Sequence, residues 1–318
     1  MSNRIKWTAD QMPDLRGKNV VVTGANSGLG FEISLAMSRK GATVIMACRD
    51  QVKGQRALEE ITKAVPQAKL DLIELDLADL TSIRDFAEDF SKRYDSLHIL
   101  CNNAGVMAIP YRETAQGFEM QFGTNHLGHF ALTGLLMPTI LKTEQARVVT
   151  TSSMLHRPGK INFADLHGKT GYNPSKAYSQ SKLANLLFAY ELQRKFEASK
   201  ASAISVASHP GYSATNLQMT GPQLEGSAMK MQVMKVSNRL FAQSSAMGAL
   251  PTLYAATAQE VRGGDYVGPV GLMEMRGYPG VVRSNELSYD KELAQRLWTV
   301  SEELTGVTYS SLEYQAKN

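Results

Sequence analysis

Apolar residues in this chain follow two alternating rhythms. Short runs rich in β-branched residues and leucine occur at Asn19 to Thr23, Thr43 to Ala47, Leu70 to Leu75, Leu97 to Cys101, Arg147 to Thr151 and Ala203 to Ala207. Runs that are apolar at nearly every position predict strands buried on both faces of a parallel sheet. Between them, apolar positions are spaced three and four apart. Ile83, Phe86, Ala87 and Phe90 form one helical stripe, which Thr81 or Ser82 can cap. Leu183, Leu186, Leu187, Tyr190 and Leu192 form another within Lys182 to Phe196. A third runs from Ser288 through Leu293, Leu297, Trp298 and Leu304 to a stop at Gly306. This alternation predicts an α/β protein, a doubly wound parallel sheet with right-handed crossovers. Ligands of such sheets bind beyond the carboxyl ends of the strands, where strand order reverses.

No repeat or low-complexity linker breaks the pattern, so one domain is expected over residues 17–306. A polar N-terminal extension, 1–16, precedes it, and a surface tail, 307–318, follows. The stretch from about 212 to 249 departs from the alternation and carries Met219, Met229, Met231, Met234 and Met247. Methionine adapts to irregular apolar shapes, so this helical insertion reads either as a substrate lid or as an ordinary packed helix pair. The 34 Lys and Arg against 30 Asp and Glu leave a net charge of +4, and the basic residues are scattered. That distribution argues against a nucleic-acid partner. The N-terminus lacks the apolar core of a signal peptide, and no apolar run is long enough for a membrane span. The expected location is cytoplasmic, with Cys48 and Cys101 as buried free thiols.

Candidate chemistry begins at Val20-Val21-Val22-Thr23-Gly24-Ala25-Asn26-Ser27-Gly28-Leu29-Gly30, which passes from a strand-like run through glycines into a helix-like segment. A tight glycine turn ahead of a helix N-terminus presents backbone N–H groups to a phosphate. Tyr178 and Lys182 stand four apart, on one face if the segment is helical. A tyrosine titrating near pH ~10 becomes useful in acid–base chemistry when a cation stabilises its phenolate. Alone, such a pair is commonly a surface feature. Upstream, Ser152 and Ser153 end a strand where a hydroxyl can bond a substrate oxygen. Asn125 lies inside a helix-like segment, a sign of a hydrogen-bond network or a kink. His126 and His129 lack acidic or cysteine partners at ligand spacing, so no metal site is expected.

With these residues assembled, the chain resembles the short-chain dehydrogenase/reductase family. The matching motifs are Thr23-Gly24-x-x-x-Gly28-x-Gly30, Asn102-Asn103-Ala104-Gly105, Asn125, Ser153, Tyr178-x-x-x-Lys182 and His209-Pro210-Gly211, in the family's order from about residue 15 to 306. The resemblance implies a Rossmann-type fold and a hydride transfer between a nicotinamide dinucleotide and a carbonyl or alcohol. It implies Tyr178 as acid or base, Lys182 as its cation and ribose ligand, Ser153 as the group polarising substrate, and Asn125 as holder of a relay water. Ser152 is the alternative to Ser153. Gly24, Asn26, Ser27, Gly28, Leu29 and Gly30 would cradle the dinucleotide, with Asp76, Leu77, Asn103, Ala104 and Gly105 on its adenosine side. Pro210, Gly211, Ser213 and Thr215 would line its nicotinamide end. Where an NAD enzyme places a ribose-binding acid after the second strand, this chain has Cys48 and then Arg49, which favours NADP(H) over NAD(H). Asp50 is the discordant neighbour.

Val44-Ile45-Met46-Ala47-Cys48-Arg49-Asp50, Asn125-His126-Leu127-Gly128-His129-Phe130, Ser181-Lys182-Leu183-Ala184-Asn185 and Leu297-Trp298-x-x-Ser301-Glu302 resemble the retinol dehydrogenase branch. That branch is similar to the WW-domain oxidoreductases and the light-dependent protochlorophyllide reductases. Membrane-bound retinol dehydrogenases often begin with a hydrophobic anchor, which this sequence does not show. Tyr212 stands where the protochlorophyllide enzymes carry a cysteine, and the Ser153–Tyr178 interval is short, so the photoenzyme reading is disfavoured. The expected partner is a small carbonyl or alcohol, apolar and retinal- or steroid-like, with homo-oligomers one option for assembly. A non-catalytic dinucleotide sensor on the same fold is the alternative function. Retention of Asn125, Ser153, Tyr178 and Lys182 together speaks for the enzyme.

Overall fold

The computed structural model describes residues 6–212 and 243–315. An eight-stranded sheet at its centre has the order β3-β2-β1-β4-β5-β6-β7-β8. The strands are β1 (Asn19–Thr23), β2 (Thr43–Cys48), β3 (Lys69–Glu74), β4 (Ile99–Asn102), β5 (Arg147–Thr151), β6 (Ile204–Ser208), β7 (Tyr266–Pro269) and β8 (Pro279–Val282). All neighbours pair in parallel except β8, which runs antiparallel to β7. The two faces are covered by α1 (Gly28–Arg39), α2 (Gln51–Ala64), α3 (Leu80–Arg93), α4 (Gly128–Lys142), α5 (Pro174–Ala198), α6 (Ser245–Thr257) and α7 (Lys291–Thr305). The predicted single-domain, doubly wound α/β class is what the chain adopts.

Alternate residues of a strand serve opposite layers, as the period of two requires. Val20 and Val22 join Ile33 and Met37 of α1, Ile61 of α2 and Leu253 of α6 in one core. Val21, between them, joins Phe86 and Phe90 of α3, Leu136 of α4 and Phe196 of α5 in the other. Each fully buried side chain of this size contributes about 1.5–3 kcal/mol.

The structure revises several expectations. Asp79, not Thr81 or Ser82, caps α3 by accepting from Thr81 N at 2.9 Å, while the Ser82 hydroxyl accepts from Asp76 N. Strands β7 and β8 escape the pattern because each is only four residues long and carries glycine and proline. Pro279 is tolerated because β8 is an edge strand. The expected N-terminal extension is stitched into the core: Trp7, Met12 and Leu15 are buried, and Trp7 meets Tyr254 of α6 edge-on at 5.2 Å. Nor do residues 307–312 form a surface tail, because Val307, Tyr309 and Leu312 are buried. Gly306, at φ +65°, ends α7 in a left-handed turn that folds the chain back over α4. There Tyr309 packs 4.5 Å from Trp298 and donates its hydroxyl to Phe130 O at 2.7 Å. Most of the 212–249 stretch lies outside the described residues, and its described end opens the core helix α6.

Strand order reverses between β1 and β4. Their following loops part there and leave a crevice of about 370 Å³ beyond the strand ends, lined by Gly24, Ser27, Arg49, Asp76 and Asn103 among others.

Candidate active site

The crevice floor is the β1–α1 turn. Gly24 (φ +67°) and Gly28 (φ +54°) occupy left-handed backbone that other residues rarely adopt. Gly30 is required by proximity instead, since a Cβ there would run into the Gly24 carbonyl. Helix α1 opens with no side-chain cap from Ser27 and no acid in its first turn. In contrast, side chains cap α2, α3, α5, α6 and α7. The first N–H groups of α1 thus face the crevice, where an anion would satisfy them. Thr23, which the sequence reading passed over, anchors the opposite lip. Its hydroxyl accepts from Asn103 N and Ala104 N, both at 2.9 Å, and is within 3.0 Å of His129 Nε2. A buried hydroxyl directly before the first glycine was the available signal. Asn26, Ser27, Leu29, Leu77, Asn103, Ala104 and Gly105 all line the crevice, joined by Lys53, Val106 and Thr124. The uncapped helix end, glycine cradle and cationic rim fit a dinucleotide phosphate chain.

At the end of β2, Cys48 is buried and its thiol is pushed up to about 11 by burial. Arg49 is largely exposed, 3.9 Å from Asp76 in a loose ion pair. The discordant Asp50 is already engaged: one oxygen accepts from Lys53 N at 3.0 Å as the α2 cap, the other pairs with Lys53 Nζ at 2.9 Å.

The catalytic candidates converge at the ends of β4 and β5. Proline at the first turn and an Asn173 cap start α5 well before Lys182, so Tyr178 and Lys182 lie one turn apart on a buried helix. Lys182 Nζ sits 5.6 Å from the centre of the Tyr178 ring and donates to Thr151 O at 3.2 Å. Burial pushes the phenol up to about 12, opposed by a hydrogen bond from Ser153. Burial likewise lowers Lys182 to about 8. The expected lowering of the tyrosine by the lysine is not seen: desolvation dominates, and Ser153 is the group that opposes it. Ser152, the alternative hydroxyl, is already engaged: it donates to Lys182 O at 2.8 Å.

Asn125 stands in a π turn, Gly123–Leu127, immediately before α4. Its side chain makes three hydrogen bonds: Oδ1 accepts from Val106 N at 2.8 Å, while Nδ2 donates to Val106 O and to Ser181 Oγ, each at 2.9 Å. A relay water at Asn125 would have the second lone pair of Oδ1 or the main-chain carbonyl to bind, and His129 Nδ1 already donates to the carbonyl at 3.0 Å. Gly105 makes this closeness feasible, since a Cβ there would lie 2.9 Å from Asn125 Oδ1 and 3.6 Å from Lys182 Nζ. His126 and His129 are buried, neutral and bound to hydroxyls, and no metal-holding cluster exists among the described residues. Pro210 and Gly211 follow β6 beside the β7 end, whereas Ser213 and Thr215 lie outside the described residues.

Comparison with known proteins agrees with this geometry. A family model described as short chain dehydrogenase matches residues 18–225. Retinol dehydrogenase 12 of Mus musculus is 39% identical over 295 residues, 92% of this chain and 88% of that protein. Human retinol dehydrogenase 13 is 38% identical over 303 residues, 94% and 88% of the two chains. The crystal structure of an uncharacterized protein from Mycobacterium paratuberculosis superposes with TM-score 0.79 at 42% identity, covering 96% of this chain and 99% of that one. A Shigella flexneri short chain dehydrogenase complexed with NADP shares the fold at TM-score 0.62 and 21% identity, covering 80% and 98%. The chain belongs to the short-chain dehydrogenase family, in a retinol dehydrogenase-like branch, and is an oxidoreductase that works on alcohol or carbonyl groups with a nicotinamide dinucleotide.

Proposed function

We propose that this enzyme uses NADP(H) and interconverts an apolar, retinoid-like aldehyde or ketone with its alcohol. The observation that carries the cofactor preference is the pairing of Arg49 with Asp50 at the end of β2. The guanidinium is exposed on the crevice rim in a loose 3.9 Å pair with Asp76, and the carboxylate next to it in the chain, Asp50, is committed to the α2 cap and Lys53. A guanidinium suits a ribose phosphate, which a free carboxylate would repel. The apolar substrate class rests on the relatives named retinol dehydrogenases.

The bound dinucleotide supplies the hydride, or accepts it in oxidation. The protein's part is to place the substrate oxygen between Ser153 and Tyr178. As negative charge grows on that oxygen during reduction, the Ser153 hydroxyl donates a hydrogen bond and the Tyr178 hydroxyl donates its proton. Lys182, held by the Thr151 carbonyl, stabilises the phenolate that remains. Oxidation runs the same proton back.

The test is NADPH and NADH consumption with retinal, a steroid ketone and short aldehydes, by wild type and Tyr178→Phe. Wild type should prefer NADPH and the apolar substrates, and loss of the proton donor should lower kcat by about 10²–10⁴-fold. Equal turnover by the two proteins would remove Tyr178 from its role, and preference for NADH would overturn the cofactor reading.

A further inference from the structure

Glu274 lies in the turn between β7 and β8, far along the chain from the catalytic residues, yet its carboxylate is approached from two sides of the site. Arg157 Nη2 donates to its two oxygens at 3.1 and 3.2 Å. Arg157 directly follows the 3-10 turn Met154–His156, which Ser153 caps. From the other side, His209 Nε2 stands 3.3 Å from Glu274 Oε2. His209 opens the Pro210-Gly211 loop, and Gly211 N donates to its Nδ1 at 3.3 Å. The ring proton therefore sits on Nε2, 3.3 Å from the carboxylate though outside hydrogen-bond geometry.

The backbone repeats the connection. Tyr212 N donates to Met275 O at 2.8 Å, and Gln243 N donates to Tyr212 O at 2.9 Å. Met273 and Glu274 are both held at positive φ, +51° and +57°, conformations uncommon for residues with side chains. That bend aims the Glu274 carboxylate inward. An Arg–Glu pair with the arginine 46% exposed would mean little alone. The histidine changes this. Its side chain is fully buried, against Gly268 with no room for a Cβ and 5.1 Å from the Tyr266 ring. Its Nε2 is buried with no hydrogen bond, so the Glu274 carboxylate 3.3 Å away supports it by electrostatic contact, and losing that contact would be costly.

We propose that Glu274 is a positioning residue of the active site: by holding Arg157 and His209 on one carboxylate, it sets the spacing between the Ser153 turn and the Pro210-Gly211 loop. The proposal rests on the function above for the roles of those two walls, Ser153 against the substrate oxygen and Pro210-Gly211 at the nicotinamide end. Neither wall is touched by substrate through Glu274 itself.

Two variants test it, Glu274→Ala and Glu274→Gln, read by hydrogen exchange as well as by turnover. In Glu274→Ala, the amides of Gly211 and Tyr212 should exchange about tenfold faster or more, while the α5 segment carrying Tyr178 stays as protected as before. Its kcat should fall by about tenfold or more, because small misplacements of reacting groups are costly. Binding of 2′,5′-ADP, which occupies only the adenosine end, should be unchanged. Glu274→Gln keeps an oxygen facing the His209 N–H, so it should restore the exchange protection and most of the turnover. Unchanged exchange at Gly211 and Tyr212 in Glu274→Ala overturns the proposal, as does faster exchange with unaltered kcat. A glutamine variant as impaired as alanine overturns it too, since the carboxylate would then act through charge alone. Because exchange reads the clamp without catalysis, a wild type inactive on every substrate would count against the proposed function only.

Discussion

Tyr178 shows how a reactive side chain is set by competing surroundings. Burial drives its phenol up and Lys182 down, so at neutral pH the tyrosine holds its proton, the form that carbonyl reduction consumes. The residue types of this centre were legible because Asn125, Ser153, Tyr178 and Lys182 match, in order, the motifs of the short-chain dehydrogenase family. What each side chain bonds was not legible. Of the two serines it is Ser152 that bonds the Lys182 carbonyl, and that contact crosses 30 residues of chain. Asp50 is the same kind of case. As a residue type it contradicts the Arg49 argument, and only its capping bonds show why it does not. Replacing Arg49 with alanine should therefore weaken NADP⁺ binding by about 10- to 100-fold, the range of a lost charge-assisted hydrogen bond. NAD⁺ affinity should stay nearly constant, and titration calorimetry with both cofactors decides the point. An unaltered ratio would refute the phosphate role of Arg49.

Among the secondary-structure elements, those with strong periodicity came out of the sequence nearly intact. β1 and β5 match the expected spans, and α7 ends at the anticipated Gly306. The π turn at Gly123–Leu127 was visible only as an asparagine out of place in a helix. β7 and β8 were invisible for a physical reason: glycine and proline fill half of each four-residue strand, and they hold their places through pairing with each other and with β6. Residues 307–312 were misjudged because three apolar side chains among polar ones show no rhythm. They matter through α4 and α7, whose Phe130 and Trp298 they cover. A chain ended at Gly306 should lose on the order of 5 kcal/mol through exposure of Val307, Tyr309, Leu312 and their partners. Thermal melting should show a large drop in midpoint, and an unchanged midpoint would return these residues to the surface.

The packing of both layers leaves four imidazoles deep in the fold, His126, His129, His156 and His209. Burial lowers His126 to about 3 and His129 and His156 to about 4, from an ordinary value of 6.5. An unfolded chain binds these protons near pH 6.5 and the folded one does not, so each group stabilises the fold above that pH and loses its contribution as pH falls toward 4. Glu119, raised by burial, works in the opposite sense. The histidines outweigh it, and the melting midpoint should fall by several degrees between pH 7 and pH 5. His129→Gln should flatten that slope; a profile that rises toward pH 5 would contradict the neutral assignment.

Local order in the sequence was enough for the doubly wound sheet, the glycine turn at its switch point and the tyrosine–lysine pair, because each depends on neighbours within a turn or a strand. The tertiary structure alone decided which serine hydroxyl bonds the Lys182 carbonyl, that both ends of the described chain belong to the core, and that Arg157 and His209 meet at Glu274. Those outcomes depend on contacts between residues tens to hundreds of positions apart, where pattern carries no information and burial chooses the partners.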